Sequence, residues 1–224
     1  MKKTLVILTR DEIEGLRKIF PQILLSSVDE VFAVDYQSND GTKEFFLEKG
    51  IKIIDQEKPG RGEAFRLAFQ KTKGDVLVFF SPDGNENPAD IPKIFKKLSQ
   101  GYDMVIASRF LTGGKNEEEE KIFKWRLWAN RVFTFLANFF WNRGKPYITD
   151  TINGFRGITR QAFNKMKPDA PGYVIEYQMT IRGMRLGLKI GEIPTIEGQR
   201  IGGESKAKSL PTGFLFLKYF LREL

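Results

Sequence analysis

A chain of 224 residues, 41% hydrophobic and 29% charged, is long enough to bury one substantial core and too apolar to remain disordered. It contains no cysteine and no histidine, which excludes disulfides, thiol nucleophiles, imidazole acids and bases and the usual zinc sites. Any metal must sit on oxygen ligands such as Asp, Asn and Ser, which suit Mg²⁺ or Mn²⁺. The formal charge of +8 suits a polyanionic partner (nucleic acid, an anionic membrane or a phosphorylated small molecule) without choosing among them.

Short apolar, β-branched runs open the chain: TLVILT from Thr4, EVFAVD from Glu30, IKII from Ile51, DVLVFFS from Asp75 and DMVIAS from Asp103. Helical patterns near residues 11–20, 41–49, 62–72 and 88–99 separate them, so the first half reads as a βαβ series. Strands this apolar are expected in a mostly parallel sheet covered by helices on both faces, whose ligands bind beyond the strand ends. Met1-Lys2-Lys3 runs directly into the first strand without a secretory leader, which makes the cytoplasm the expected compartment.

From about residue 112 the rhythm changes to GGKNEEEEK, read as a solvated loop, then to an aromatic and basic segment at 121–145 and a βα-like stretch at 149–167. Within IFKWRLWANRVFTFLANFFW, Lys124, Arg126 and Arg131 argue against a bilayer span. Arg126, Asn130 and Thr134 form one polar row of an aromatic helix that either rests on a membrane surface or packs in the core. The tail FLFLKYFLREL is too short to span and apolar enough to need cover. The expected organisation is one domain over 1–224: a donor half (1–112), an acceptor-side half (113–209) and an amphipathic tail (210–224).

Two strand ends carry acidic, oxygen-rich turns. Asp35 is followed by Tyr36, Gln37, Ser38, Asn39, Asp40, Gly41 and Thr42, where Asp40 or Thr42 can also simply cap the next helix. Beyond the fourth strand, Ser81-Pro82-Asp83-Gly84-Asn85 precedes Asn87-Pro88, a good N-cap and N1 pair. Capping leaves Asp83 and Asn85 unexplained; two oxygen-bearing side chains at i and i+2 can converge on one hard cation that also holds a diphosphate.

These residues resemble the family-two glycosyltransferases of the GT-A fold, in particular the dolichyl-phosphate mannose synthase and polyprenyl-phosphate glycosyltransferase branch. ILTRDEIEGL resembles that family's first loop, VDYQSNDGT its VDDGSTDGT, KPGRGEAFRLAF its glycine-flanked basic turn and SPDGN its DxD region. DMVIASRF, ITDTINGFRGITRQAF and RIGGESK resemble its later segments in the same order. The resemblance implies an inverting transferase that uses Mg²⁺ or Mn²⁺ and moves a sugar from GDP-mannose or a UDP-hexose to a lipid phosphate. It assigns the donor to Thr9, Glu12, Asp35, Ser38, Asp40, Arg61, Ser81, Asp83 and Asn85, with the metal on Asp83 and Asn85. Arg109, Arg126, Arg156, Arg200 and Lys206 would face the acceptor phosphate. Catalysis would rest on Asp83 and Arg109, joined by Glu176 as general base if the acceptor is a sugar hydroxyl rather than a phosphate.

The chain departs from the family at Ser81, which replaces the first acid of DxD, at Tyr36, which replaces the second acid of VDD, and at Arg10 and Asp11. Alternative readings are nucleotidyl transfer, a transferase that binds donor without turning it over, and a nucleic-acid-binding protein suggested by charge and 20 phenylalanines. No recognised nucleic-acid motif supports the last, so no nucleic-acid partner is expected. Peripheral membrane association is the expectation; oligomeric state is left open.

Overall fold

The computed structural model describes residues 1–116, 125–202 and 209–224. Strands β1 (Lys3–Thr9), β2 (Glu30–Asp35), β3 (Lys52–Asp55), β4 (Val76–Phe80) and β5 (Met104–Ser108) coincide with the five apolar runs, and helices α1 (Ile13–Ile19), α2 (Thr42–Glu48), α3 (Arg61–Lys71) and α4 (Ile91–Ser99) lie between them. Then follow α5 (Trp125–Trp141), β6 (Arg156–Thr159), α6 (Arg160–Met166), α7 (Val174–Arg185), β7 (Ile190–Pro194) and α8 (Ser209–Glu223). The seven-stranded sheet runs β3-β2-β1-β4-β6-β5-β7. β6 is antiparallel to β4 and β5; the other pairs are parallel. The expected α/β, mostly parallel GT-A-like sheet flanked by helices is therefore found, whereas α7, β7 and the reversed β6 were not anticipated.

Strand alternation divides the core. Leu5, Ile7 and Ala33 face Leu16, Phe46 and Phe95 on one side of the sheet, while Val6, Leu8 and Val34 face Phe65, Phe69, Phe163 and Tyr177 on the other. Phe65 stacks on Phe79 at 3.7 Å and Phe69 on Phe163 at 3.8 Å. Each buried ring of this size contributes about 2–3 kcal/mol from removal of apolar surface.

The polar row of α5 points the opposite way from an ordinary surface helix. Thr134 and Asn138 are buried and Asn130 lines the central cavity, whereas Trp128 (61%), Val132 (54%), Phe135 (56%) and Phe139 (50%) are exposed. Thr134 Oγ1 lies 2.9 Å from Thr151 Oγ1, and Asn138 donates to the carbonyls of Thr134 and Ile148. Phe133 and Leu136 pack on the core, so the core reading of this helix holds for that face. α8 meets α5 through Phe133–Phe216 (5.3 Å) and Phe140–Phe220 (5.6 Å). Its own outer face shows Phe214, Leu217 and Leu221. No helix among the described residues is long and apolar enough to cross a membrane.

Candidate active site

Parallel strands end on one side of the sheet, and Thr9, Asp35 and Ser81 all stand at or just beyond such ends. Asp35 is fully buried. Its carboxylate accepts from Thr9 Oγ1 (3.0 Å), Ser38 Oγ (2.5 Å) and Ser38 N (3.0 Å). Ser38 Oγ in turn accepts from Asp11 N at 2.8 Å, tying the first loop to the second. Asp40 accepts from Ile13 N and Thr42 N, both at 3.0 Å, so it braces the turn against the first loop; the N-cap of α2 is Gly41 rather than Asp40 or Thr42, and Asp40 is not on the cavity wall. Burial raises its pKa, but the Thr42 side chain and the two amides outweigh that and hold it below the usual value. Arg10 lies over the Tyr36 ring at 5.1 Å, an exposed guanidinium and an aromatic face at the cavity mouth.

The turn after β4 is shaped by glycines that admit close neighbours. A Cβ on Gly15 would lie 2.1 Å from the Pro82 carbonyl oxygen, so only glycine lets α1 rest on this turn. At Gly84 the backbone has φ +91°, and Ile201 and the Gln199 carbonyl approach within 3 Å of where a Cβ would be. Asp83 Oδ1 accepts from Asn85 N (3.1 Å), and Asn85 Nδ2 donates to Gly198 O (2.8 Å). Arg200 bridges two acids, with Nη1 2.6 Å from Asp83 Oδ2 and Nη2 2.6 Å from Glu12 Oε1. Arg200 thus sits with the donor-side residues rather than apart from them.

Arg61 is the centre of a second cluster. Nη1 donates to Ser81 Oγ (3.0 Å), Nε lies 2.5 Å from Glu176 Oε1, and Nη2 is 3.7 Å from Glu86 Oε1. Glu176 is 1% exposed, and its Oε2 has no hydrogen-bond partner among the described residues. Burial pushes its pKa up against the opposing pull of Arg61 and Arg156. Glu86, which the sequence reading passed over, accepts from Ser81 N at 2.7 Å, and burial pushes its carboxyl up to about 8 despite Arg61. Its position in SPDGNEN, beside the residues singled out there, was the available signal.

The arginines expected to face an acceptor phosphate separate. Arg109 is on the cavity wall, its Nε and Nη2 bonded to Asp150 at 2.7 and 3.1 Å and its Nη1 3.4 Å from Glu197. Burial works to raise the Asp150 pKa, and Arg109 overrides it to hold the carboxyl below the ordinary range. Arg156 corrects the expectation: it is 0% exposed, and its guanidinium donates to the carbonyls of Thr151, Asn153 and Glu176 and to Thr180 Oγ1. A guanidinium committed to the core in this way organises the 151–153 loop and does not meet a ligand. The side chain of Arg126 and the whole of Lys206 lie outside the described residues, as does the 117–120 glutamate run.

One cavity of about 660 Å³ lies among these residues; Asp35, Ser38, Asp40, Asp150 and Arg156 stand behind its wall rather than on it. Thr9, Tyr36, Gln56 and Asp83 line its polar half. Ala129 and Phe133 of α5 and Phe216 of α8 line the apolar half, with Arg61, Arg109 and Glu176 between. The residues present fit a divalent cation in one respect: the Asp83 carboxylate already faces a positive group, Arg200, on the cavity side. Among the described residues no three His, Cys, Asp or Glu side chains are placed to hold a metal ion by themselves, so a cation here would draw its remaining ligands from a substrate phosphate, as Mg²⁺ commonly does.

Comparison with known proteins agrees with this geometry. The chain is 28% identical over 234 residues to the dolichol-phosphate mannosyltransferase of Pyrococcus furiosus, covering 99% of this chain and 63% of that one. It is 29% identical over 217 residues to the undecaprenyl-phosphate mannosyltransferase of Micrococcus luteus, covering 92% and 87%. It is 27% identical over 220 residues to the glycosyltransferase AglJ of Haloferax volcanii, covering 96% and 69%. The chain thus spans from under two thirds to most of the length of these relatives. In fold it is similar to the glucosyl-3-phosphoglycerate synthase of Mycobacterium tuberculosis, solved with Mn²⁺, uridine diphosphate and phosphoglyceric acid. The TM-score is 0.75 at 20% identity, over 99% of this chain and 76% of that one. The model of Glycosyl transferase family 2 matches residues 4–166, and with the GT-A sheet and its strand-end site in place, this chain belongs to that family.

Proposed function

We propose that the protein moves a hexose from a nucleoside-diphosphate sugar, GDP-mannose or a UDP-hexose, to a polyprenyl phosphate, with inversion at the anomeric carbon. One observation carries the reading: the cavity joins a polar, acidic strand-end half to an apolar wall on α5 and α8, and both helices turn further aromatic and aliphatic side chains outward. A lipid phosphate has the matching shape, one charged end and a long apolar chain. The names of the relatives from Pyrococcus furiosus and Micrococcus luteus support the same acceptor class.

In this reading the donor half, residues 1–112, takes the nucleoside between Thr9, Asp35 and Tyr36, with Glu12 and Ser38 holding the loops around it. Asp83 and Asn85 would hold Mg²⁺ or Mn²⁺, which when bound supplies positive charge to the departing diphosphate. Arg61 and Arg200 add fixed positive charge beside it, preorganised by their carboxylate partners. The acceptor-side half, 113–209, with the 210–224 tail, presents Arg109 to the acceptor phosphate. A phosphate oxygen attacks the anomeric carbon opposite the leaving group, and being already anionic it needs no general base. The outward apolar faces suit peripheral docking on the cytoplasmic face of a membrane.

A second reading keeps the donor chemistry and gives the acceptor a sugar hydroxyl, with Glu176 as base. The observation favouring it is the unpartnered Glu176 Oε2 in a cavity-lining residue.

The test is release of nucleoside diphosphate from a panel of UDP- and GDP-sugars with Mg²⁺ or Mn²⁺, with and without polyprenyl phosphate, beside Asp83→Ala. Release that requires both the lipid phosphate and Asp83 is the expected result. Release stimulated only by sugar acceptors favours the second reading. No release, and no thermal shift with any nucleotide, overturns both.

A further inference from the structure

We propose that Glu86 is the second carboxylate of the cation and diphosphate site, standing in for the acid that Ser81 lacks. The inference rests on the reading of Asp83 as the cation-binding residue. Gly84, with φ +91°, reverses the chain within the SPDGNEN turn, and the reversal brings residue 86 back to residue 81. Ser81 N donates to Glu86 Oε2 at 2.7 Å, so the carboxylate lies against the backbone of the position where relatives of this type carry an aspartate. An acid reaching back from residue 86 with one more methylene than aspartate serves the same corner of the cavity.

The other oxygen identifies what the group is for. Glu86 Oε1 makes no hydrogen bond among the described residues; its nearest cation, Arg61 Nη2, is 3.7 Å away, beyond hydrogen-bonding distance. Arg61 is not in need of it as a counter-ion, because its Nε lies 2.5 Å from Glu176 and its Nη1 donates to Ser81 Oγ. Glu86 and Asp83 line the same cavity, and the Glu86 side chain is 11% exposed. Asp83 already holds Arg200 at 2.6 Å, whereas Glu86 has only Arg61 at 3.7 Å, so a divalent cation would compete with Arg200 for the first carboxylate and complete the second. The chemistry of the pair, hard oxygens presented beside a place for a diphosphate, selects Mg²⁺ or Mn²⁺ bound together with a nucleoside diphosphate.

The full-length protein is titrated with Mn²⁺ in saturating UDP and, separately, GDP, and free Mn²⁺ is read by electron paramagnetic resonance. Glu86→Gln, which keeps the size and the acceptor for Ser81 N, is expected to weaken Mn²⁺ by about tenfold or more. Its binding of UDP or GDP in EDTA stays within about twofold of the parent, because the cation-independent contacts remain. Ser81→Asp added to Glu86→Gln is expected to recover most of the lost affinity, since it returns a carboxylate to the same corner. Unchanged Mn²⁺ affinity in Glu86→Gln, with Asp83→Ala losing it, overturns the inference and leaves the Asp83 reading standing. A loss that Ser81→Asp does not repair also overturns it, because the effect then passes through Arg61. Unchanged affinity in Asp83→Ala removes the underlying reading and the inference with it. If Glu86→Gln does not fold, Ser81→Asp alone decides: added to Glu86 and Asp83 it is expected to tighten Mn²⁺, and no change overturns the inference.

Discussion

Arg200 Nη1 lies 2.6 Å from Asp83 Oδ2 while its Nη2 lies 2.6 Å from Glu12 Oε1, so one guanidinium ties the segment before the C-terminal helix to both walls of the donor cavity. The same segment is zipped to the turn by Gly198 N donating to Asn85 O (2.9 Å) and Ile201 N donating to Asp83 O (2.7 Å). An arginine on Asp83 competes with any other cation for that carboxylate. Arg200→Gln is therefore expected to change two affinities in opposite directions, each by about tenfold, equivalent to about 1.4 kcal/mol. Mn²⁺ without nucleotide binds more tightly, because Asp83 and Glu12 lose their internal cation; UDP or GDP in EDTA binds more weakly, because the diphosphate loses a positive neighbour. Calorimetric titration of each ligand checks the pair, and a shift of both in the same direction contradicts the competition.

Asp150 is fully buried and holds Arg109, half-buried at the cavity wall, through two hydrogen bonds. Asp150→Asn leaves that guanidinium with one partner fewer and is expected to cost about 3 kcal/mol of stability. The pH dependence follows from sign. The folded pKa of Asp150 lies below its unfolded value, so its stabilisation is complete above about pH 4 and is lost as pH falls through the folded value. The gap in unfolding free energy between wild type and variant is expected to be widest near neutrality and to narrow below about pH 4. Urea unfolding between pH 2 and 7 measures it.

Arg156→Met separates a structural arginine from a ligand-binding one. The substitution strips donors from buried carbonyls of Thr151, Asn153 and Glu176 and is expected to destabilise by about 3 kcal/mol or more. At a temperature where the variant remains folded, KM for the acceptor is expected to stay within about twofold, whereas Arg109→Met raises it by about tenfold or more.

The contrast between Arg109 and Arg156 marks the limit of reading a linear chain. β1, β2, β4 and β5 were legible because two-sided burial in a parallel sheet demands continuous apolar runs; Asp35 and Asp83 were singled out because strand ends are where such sheets bind ligands, and Thr9 through the family resemblance. Both arginines adjoin motifs, and nothing local distinguishes the one at the cavity from the one in the core; that difference arises from α7, whose carbonyl and Thr180 receive Arg156. β7 reads IGEIP, with a glycine and a proline in five residues, and takes its place from pairing with β5 rather than from its own pattern. Asp40 braces its turn through the amides of Ile13 and Thr42, while Gly41 takes the cap position that the sequence reading gave to Asp40 or Thr42. Glu86 was hidden by periodicity of another kind: its partner is the backbone of residue 81, a contact made by the reversal at Gly84.

Glu176→Gln distinguishes the two acceptor classes. Loss of a general base costs about 10²–10⁴ in rate, whereas a phosphate acceptor has no proton to remove. With polyprenyl phosphate, kcat is expected to fall by less than about tenfold, the residue of disturbing Arg61 through a carboxylate 2.5 Å away. A loss of several hundredfold at constant KM supports the hydroxyl-acceptor reading.

The outward face of α5 gives the last prediction. Trp128, Val132, Phe135 and Phe139 recur at helical spacing on the solvent side, while Thr134 and Asn138 of the same helix are buried, an orientation that water alone does not favour. Arg131 stands at this face, 5.8 Å over Trp128, where on a membrane surface a cation would meet lipid phosphates. Val132→Glu with Phe135→Glu removes apolar contact and adds like charge at residues with no core role. Stability is expected to change by less than about 1 kcal/mol, since both side chains are more than half exposed. Co-sedimentation with vesicles rich in anionic lipid is expected to fall by about tenfold or more. Turnover of a water-soluble short-chain polyprenyl phosphate is expected to persist while turnover of the long-chain acceptor in vesicles declines. Equal loss with both acceptors would locate the ridge in the catalytic cavity, and equal retention would leave its exposure without a membrane role.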